Sequence, residues 1–184
     1  MSRFENIPRE LMTPRQREVA DVIASGPRGA LKGPFLALIH NPELASRVQA
    51  LGEHLRFGTG LSQALVEIAI LVTGRRWNCQ YEWAAHSRIA SEAGLRQEVI
   101  DAIAVRGKPS QLNPEEALIL EFAEQTVCDG APSDATFEAA VARFGRPTVL
   151  DLLAVCGYYT LLAFVLNTAQ LPLPPGAAPL PALS

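Results

Sequence analysis

Signals for the start and end of α-helices recur along the whole chain and leave little room for other secondary structure. The segment Thr13-Pro14-Arg15-Gln16 has the residues of a capping box, with proline at the first helical position. Asn41-Pro42 and Asn113-Pro114-Glu115-Glu116 repeat this pattern. Gly94 and Gly145 follow helical stretches, where glycine commonly ends a helix. Because no stretch shows the sustained period-two alternation of a strand, we predict an all-α fold.

The chain has 184 residues, which is enough for one well-buried domain. We assign residues 1–170 to a single all-α domain whose core motif spans residues 33–95. Residues 171–184 contain five prolines among leucines and alanines. We expect this Pro-rich tail either to extend over a neighbouring surface or to remain disordered.

Charge and cysteine content indicate a cytoplasmic protein. The net charge is −3 and no basic run is present, so nucleic acid is not an expected partner. The cysteines Cys79, Cys128 and Cys156 are odd in number and widely spaced, which favours reduced thiols over a secreted disulfide framework. No signal-peptide pattern follows Met1.

One run, Val149 to Leu166, is almost as long and apolar as a membrane span. It contains Asp151 and the patch Tyr158-Tyr159-Thr160, and no basic residues flank it. We therefore predict no membrane contact and a helix that is apolar on all sides, buried in a bundle or in a subunit interface. This abundance of apolar surface also favours a homo-oligomer.

The residues with the greatest chemical potential are concentrated between Glu67 and His86. Cys79, Glu82 and His86 follow one another at i, i+3 and i+7, which on a helix places them within an arc of roughly 60°. We expect these three side chains to line one pocket. Because Glu82 precedes His86 by four residues, its carboxylate can hold the imidazole, fix its tautomer and favour its protonated form.

Glu67 lies in the apolar run V-E-I-A-I-L-V, where a solvated carboxylate is poorly placed. It is either a paired buried charge or a pocket acid, and His86 is the best candidate partner. Arg75 and Arg76 directly precede the site and are candidates to bind a substrate carboxylate, although such a pair is more often solvated. Tyr81 is a candidate to offer its hydroxyl to the pocket.

The segment from about Gly33 to Leu95 resembles the carboxymuconolactone decarboxylase family, which includes the alkylhydroperoxidase D-like proteins. The resemblance rests on N-P-E-L, on the spacing from Glu67 to Cys79, on C-Q-Y-E-W-A-A-H and on the following A-G-L. In the redox branch of the family a C-x-x-C pair precedes the histidine. Here Cys79 matches the first cysteine and His86 the histidine, but Glu82 stands where the second, peroxide-attacking cysteine would be.

This resemblance implies a compact multi-helix domain that forms trimers or hexamers. It also implies a cofactor-free lyase that removes CO₂ from a small carboxylated lactone, with His86 as proton donor, Glu67 and Glu82 as orienting acids, and Cys79 nearby. A thiol-dependent peroxidase is the alternative, which the glutamate at position 82 disfavours. A metal site formed by the same four residues and a non-catalytic oligomeric binding protein are further alternatives. As single residues, His86 could be a core histidine and Cys79 a small buried hydrophobe.

Overall fold

A computed structural model describes residues 2–173 and 176–183 of the chain. Some residues lie outside the described ones, namely Met1 of the predicted domain and residues 174–175 and 184 of the predicted tail. The described residues contain one short 3₁₀ helix and nine α-helices and no strand, which confirms the all-α prediction. The 3₁₀ helix is Arg9–Leu11, and the α-helices are α1 Pro14–Ser25, α2 Phe35–Leu38, α3 Pro42–Phe57, α4 Gln63–Arg76, α5 Gln80–Glu92, α6 Gln97–Ala104, α7 Pro114–Asp129, α8 Asp134–Phe144 and α9 Arg146–Ala169.

Helix α4 lies at the centre of the domain. Every residue from Leu65 to Arg75 is buried, because α5, α6, α7 and α9 all pack around this helix. The continuous apolar run of α4 leaves no polar face to turn toward water. The single carboxylate in this run, Glu67, is therefore enclosed on all sides and needs a polar partner.

The three helix starts predicted at Thr13, Asn41 and Asn113 are confirmed. Thr13 and Asn113 each form a complete capping box, in which the cap side chain accepts from the backbone of the third helical residue and that residue's side chain accepts from the cap backbone. Asn41 caps α3 through the backbone N–H of Leu44. Gly94 has a positive φ of 89°, as expected of a glycine after a helix.

Helix α9 is not buried on all sides within one chain, so the expected burial in a subunit interface stays a prediction. Its inner face packs against α4, whereas Leu150, Leu161 and Phe164 are 66%, 39% and 49% exposed on the outer face. By length and composition α9 is the one described helix that could cross a membrane, but half of its most apolar stretch is buried, as in a core helix. Self-association of the chain stays a prediction.

The described part of the Pro-rich tail lies on its own chain. The side-chain amide of Gln80 donates to the carbonyl of Leu180 at 3.2 Å and accepts from its N–H at 2.8 Å. The Leu180 side chain is buried, and Arg75 donates to the carbonyl of Pro181 at 2.7 Å. Two polar side chains near the α4–α5 link therefore hold the tail against the domain.

We predict that Asn113→Ala lowers the free energy of unfolding by about 1 kcal/mol, because it removes the cap hydrogen bond of α7. In a chain of this size that is a loss of roughly 2–4 °C in the melting temperature. The matched control is Ser62→Ala, since Ser62 is the N-cap of α4 but makes no cap hydrogen bond. Thermal unfolding followed by circular dichroism measures both changes. Equal losses of melting temperature in the two variants would show that the cap hydrogen bond of Asn113 does not stabilise α7.

Candidate active site

A tight link between α4 and α5 brings Glu67 and His86 together. Asn78 adopts a left-handed backbone conformation with φ 49°, and the N–H of Cys79 donates to the carbonyl of Gly74 at 2.9 Å. The chain thereby reverses within three residues, so that α5 packs against α4. The ring Nδ1 of His86 and Oε2 of Glu67 are 2.7 Å apart.

The Glu67 carboxylate is fully buried and is satisfied by two side chains. Oε2 accepts from Nδ1 of His86, and Oε1 accepts from the side-chain amide of Gln63 at 2.6 Å. A carboxylate partner requires a proton on Nδ1, which leaves Nε2 to exchange a proton with a ligand. The imidazole ring also meets the ring of Tyr159 edge to face, with 5.0 Å between the centroids. Two contacts therefore fix the orientation of His86.

Glu82 does not hold the imidazole, which corrects the expectation from its i,i+4 spacing. Its side chain is only 3% exposed and lies against Gly74 of α4, and neither carboxyl oxygen has a hydrogen-bond partner in the described structure. Burial, together with the nearby charge of Glu67, raises the pKa of Glu82 well above its ordinary value. This environment favours the protonated form of Glu82, in which the carboxyl group can donate a hydrogen bond.

A cavity of about 910 Å³ opens beside these residues. His86, Glu82 and Tyr81 line it from α5, and residues 176–178 of the tail form part of its wall. Tyr81 thus lies at the cavity, and the role of its hydroxyl toward a ligand stays a prediction. Further lining residues come from segments far away in sequence, and they include Arg28, Lys32, Arg56, Tyr159, Leu162 and Leu166.

Sequence reasoning missed Arg28, Arg56 and Tyr159. The two arginines lie before and within α3, outside any local pattern shared with His86. Tyr159 could have been found, because a phenol within an otherwise apolar helix needs a reason to be there. The sequence offers no comparable signal for the arginines.

Cys79 lies outside the cavity, contrary to the expected shared face with Glu82 and His86. It is the N-cap residue that precedes α5, so its side chain leaves the helix in a different direction from the helical ones. The thiol is fully buried in an apolar cluster with Ala163 and Leu166. Burial and then the proximity of Glu82 raise the pKa of this thiol to about 12. Cys79 is therefore a neutral thiol at neutral pH.

Arg75 and Arg76 also lie outside the cavity. Buried Arg75 donates to the backbone carbonyls of Ala104 and Pro181 at 3.0 and 2.7 Å, and Arg76 lies over the ring of Trp77. Both line a separate pocket of about 290 Å³. Both residues are in the last turn of α4, and neither lines the cavity that contains His86. Their position therefore gives no support to a role in binding the substrate.

No group of three His, Cys, Asp or Glu side chains in residues 2–173 and 176–183 is arranged to hold a metal ion. The two cysteines closest to the core, Cys79 and Cys156, are unpaired thiols, as is exposed Cys128.

The family model of the carboxymuconolactone decarboxylase family matches residues 42–125, a segment that runs from α3 into α7 and includes Glu67, Cys79, Glu82 and His86. Over these residues the chain is similar to this family. The match to the family model and the all-α fold agree with the resemblance drawn from the motif. None of the curated proteins matches the sequence significantly.

Solved structures share the fold at low sequence identity. A peroxidase-related protein from Ralstonia eutropha JMP134 with an alkylhydroperoxidase AhpD core is 21% identical, with a TM-score of 0.77 over 95% of this chain and 93% of that one. A peroxidase-related protein from Silicibacter sp. TM1040 is 16% identical, with a TM-score of 0.74 over 96% and 91%. A protein of unknown function from Agrobacterium tumefaciens is 20% identical, with a TM-score of 0.64 over 74% and 94%.

We predict that Glu82→Gln removes a pH dependence of stability from this protein. An unfolded glutamate titrates near 4.3, whereas folded Glu82 titrates well above its ordinary value. Between these two values the folded state binds more protons than the unfolded state, so the wild-type protein loses stability as the pH rises. The glutamine variant has no such proton to lose, and its stability should fall less over the same range.

Urea unfolding at intervals from pH 4 to pH 8 measures this difference. The matched control is Glu92→Gln, which changes an exposed carboxylate at the end of the same helix. Parallel stability curves for wild type and Glu82→Gln would show that Glu82 is already ionised in the folded protein.

Proposed function

We propose that this protein is a cofactor-free lyase that acts on a small carboxylated lactone or a related acid by acid/base chemistry. The observation that carries the proposal is the buried pair of Glu67 and His86 at the wall of the cavity, which engages Nδ1 and leaves Nε2 of a fixed imidazole to exchange a proton. The similarity of residues 42–125 to the carboxymuconolactone decarboxylase family supports the reaction class.

The proposed reaction needs a proton donor and a place for developing negative charge. Loss of CO₂ breaks a carbon–carbon bond, and its electron pair moves into the conjugated carbonyl as a dienolate. Protonated His86 then gives its Nε2 proton to the carbon, while Glu67 stabilises the imidazolium that supplies it. Glu82 is among the residues that line the cavity, and its carboxyl oxygens have no hydrogen-bond partner in the described structure. In the proposed reaction its protonated carboxyl group donates a hydrogen bond to the dienolate oxygen, in the manner of a buried neutral acid.

A thiol peroxidase is the second candidate, since two of the similar structures are peroxidase-related proteins. The geometry favours it less. A thiolate is the nucleophile in such chemistry, and the only cysteine of the motif has a pKa of about 12 and no access to the cavity. The position of the attacking cysteine is occupied by Glu82.

We expect His86→Gln to lower the rate of CO₂ release from γ-carboxymuconolactone by about 10²–10⁴-fold, the usual effect of removing a general acid. Glutamine can still donate a hydrogen bond to Glu67, so the fold should be retained. Glu67→Gln should also lose rate, because an amide cannot stabilise an imidazolium as a carboxylate does. The matched control is His54→Gln, which changes an exposed histidine that pairs with Asp151. Full activity of a folded His86→Gln protein would remove His86 from the mechanism and favour a binding protein or a different acid.

We expect the purified protein to show little peroxide reduction with dithiol donors, and Cys79→Ala to retain the lyase activity. Peroxide consumption is measured with the wild type, with Cys79→Ala and with Cys128→Ser, which changes the exposed cysteine. A high peroxidase rate that disappears in Cys79→Ala alone would establish the second candidate function instead.

A further inference from the structure

Two arginines line the cavity without a carboxylate partner. Arg28 lies in the loop after α1, and Arg56 lies in the last turn of α3. Neither takes part in an ion pair within residues 2–173 and 176–183. The Nε atom of Arg56 is buried and has no hydrogen-bond partner there. A wall of the cavity therefore carries uncompensated positive charge, which favours an anionic ligand.

Arg28 is held in place by uncharged groups. Its Nε donates to the side-chain oxygen of Gln49 at 2.6 Å, and Nη2 donates to the hydroxyl of Tyr158 at 3.3 Å. The guanidinium also lies over the ring of Phe35, 4.6 Å from its centroid. These contacts orient the group but leave its charge available. Preorganisation of this kind reduces the entropy that ligand binding costs.

Gly52 of α3 makes room for this arrangement. A Cβ atom at position 52 would lie 2.0 Å from the hydroxyl of Tyr158 and 2.5 Å from Nη2 of Arg28, too close for either to stay in place. The helix therefore lacks a side chain at the one point where the tyrosine and the arginine meet.

Arg28 is separated from the reacting end by two aromatic rings. The ring of Tyr159 is 5.0 Å from that of His86 and 5.3 Å from that of Tyr158, whose hydroxyl contacts Arg28. Leu162 and Leu166 line the cavity on the same helix. A cavity of about 910 Å³ is in the range that accommodates drug-sized ligands and exceeds the needs of a compact lactone.

We propose that Arg28 and Arg56 form a carboxylate subsite, and that the substrate is an elongated acid whose carboxylate binds there while an aromatic or apolar spacer reaches past Tyr159 to His86. Two guanidinium groups suit a planar carboxylate, because each presents parallel N–H donors. This proposal rests on the proposed function in one respect only, that the substrate reacts beside His86.

A series of phenylalkanoates tests the subsite by isothermal titration calorimetry. Benzoate, 3-phenylpropionate and 5-phenylpentanoate place a carboxylate at increasing distance from an aromatic ring, and 5-phenylpentanamide lacks the charge. Affinity should increase with spacer length, and the amide should bind roughly 10–100-fold more weakly than its acid, the usual effect of losing a hydrogen bond to a charged group. Equal binding of acid and amide, or no binding of any acid at millimolar concentration, would overturn the proposal.

Substitutions test whether the tighter binding of the acid than of the amide comes from the arginines. Arg56→Gln should weaken 5-phenylpentanoate binding by about 10–100-fold and leave the amide unaffected. Arg56→Lys should lose less, because it keeps the charge. The matched control is Arg88→Gln, which removes another arginine of the cavity rim that is already paired with Glu92. Equal losses in Arg56→Gln and Arg88→Gln would overturn the assignment.

Failure of the proposed function is distinguishable from failure of the subsite. Binding requires no turnover, and His86→Gln should still bind 5-phenylpentanoate. A protein that binds the acids through Arg56 but decarboxylates no lactone acid would contradict the lyase and leave the subsite in place. The comparison of acid with amide uses the wild-type protein, so it tests the carboxylate subsite even where a variant folds poorly.

Discussion

The hydrogen bond between Glu67 and His86 is the interaction on which the rest of the site depends. A carboxylate enclosed in the central helix costs several kcal/mol in lost hydration, and it is tolerated only with a partner. That partner must come from α5, which fixes the depth at which α5 packs on α4. The same contact sets the tautomer of the imidazole. One buried charge therefore determines both the packing of the α4–α5 hairpin and the direction in which Nε2 can exchange a proton.

The two glutamates of the site have opposite roles because their surroundings differ. Glu67 is satisfied by His86 and Gln63, whereas the oxygens of Glu82 have no partner in the described structure. Burial and then repulsion by the nearby Glu67 raise the pKa of Glu82 and favour its protonated form. The uncompensated arginines complete the pattern. His86, Glu82 and Arg56 therefore line one cavity with an imidazole held by Glu67, a buried carboxyl group and a guanidinium without a carboxylate partner.

Local contacts could be predicted from the sequence, and distant ones could not. The capping boxes at Thr13 and Asn113 involve residues three apart, and the partnership of Glu67 with His86 crosses a short link. Arg28 meets Tyr158 across 130 residues, so spacing carries no information about it. Arg75 is close to the site in sequence, but the helix turns it toward the Pro-rich tail. Hydropathy identified α9 as a core helix without revealing that one apolar face remains exposed. Composition does not show which side of a helix is covered by other helices of the chain.

A glutamate at position 82 affects the chemistry of the site in two ways. In the redox branch of the family this position holds the attacking cysteine, so its replacement removes the nucleophile. It also changes the cysteine that remains, because the carboxyl group adjoins Cys79 and adds to the burial that keeps the thiol protonated. The buried place beside Gly74, unsuited to a carboxylate, is in turn what keeps Glu82 neutral and able to donate a hydrogen bond. The hydrogen bond between His86 and Glu67 does not involve position 82. The residue at this position of α5 therefore bears on the chemistry of Cys79 without taking part in the contact that orients the imidazole.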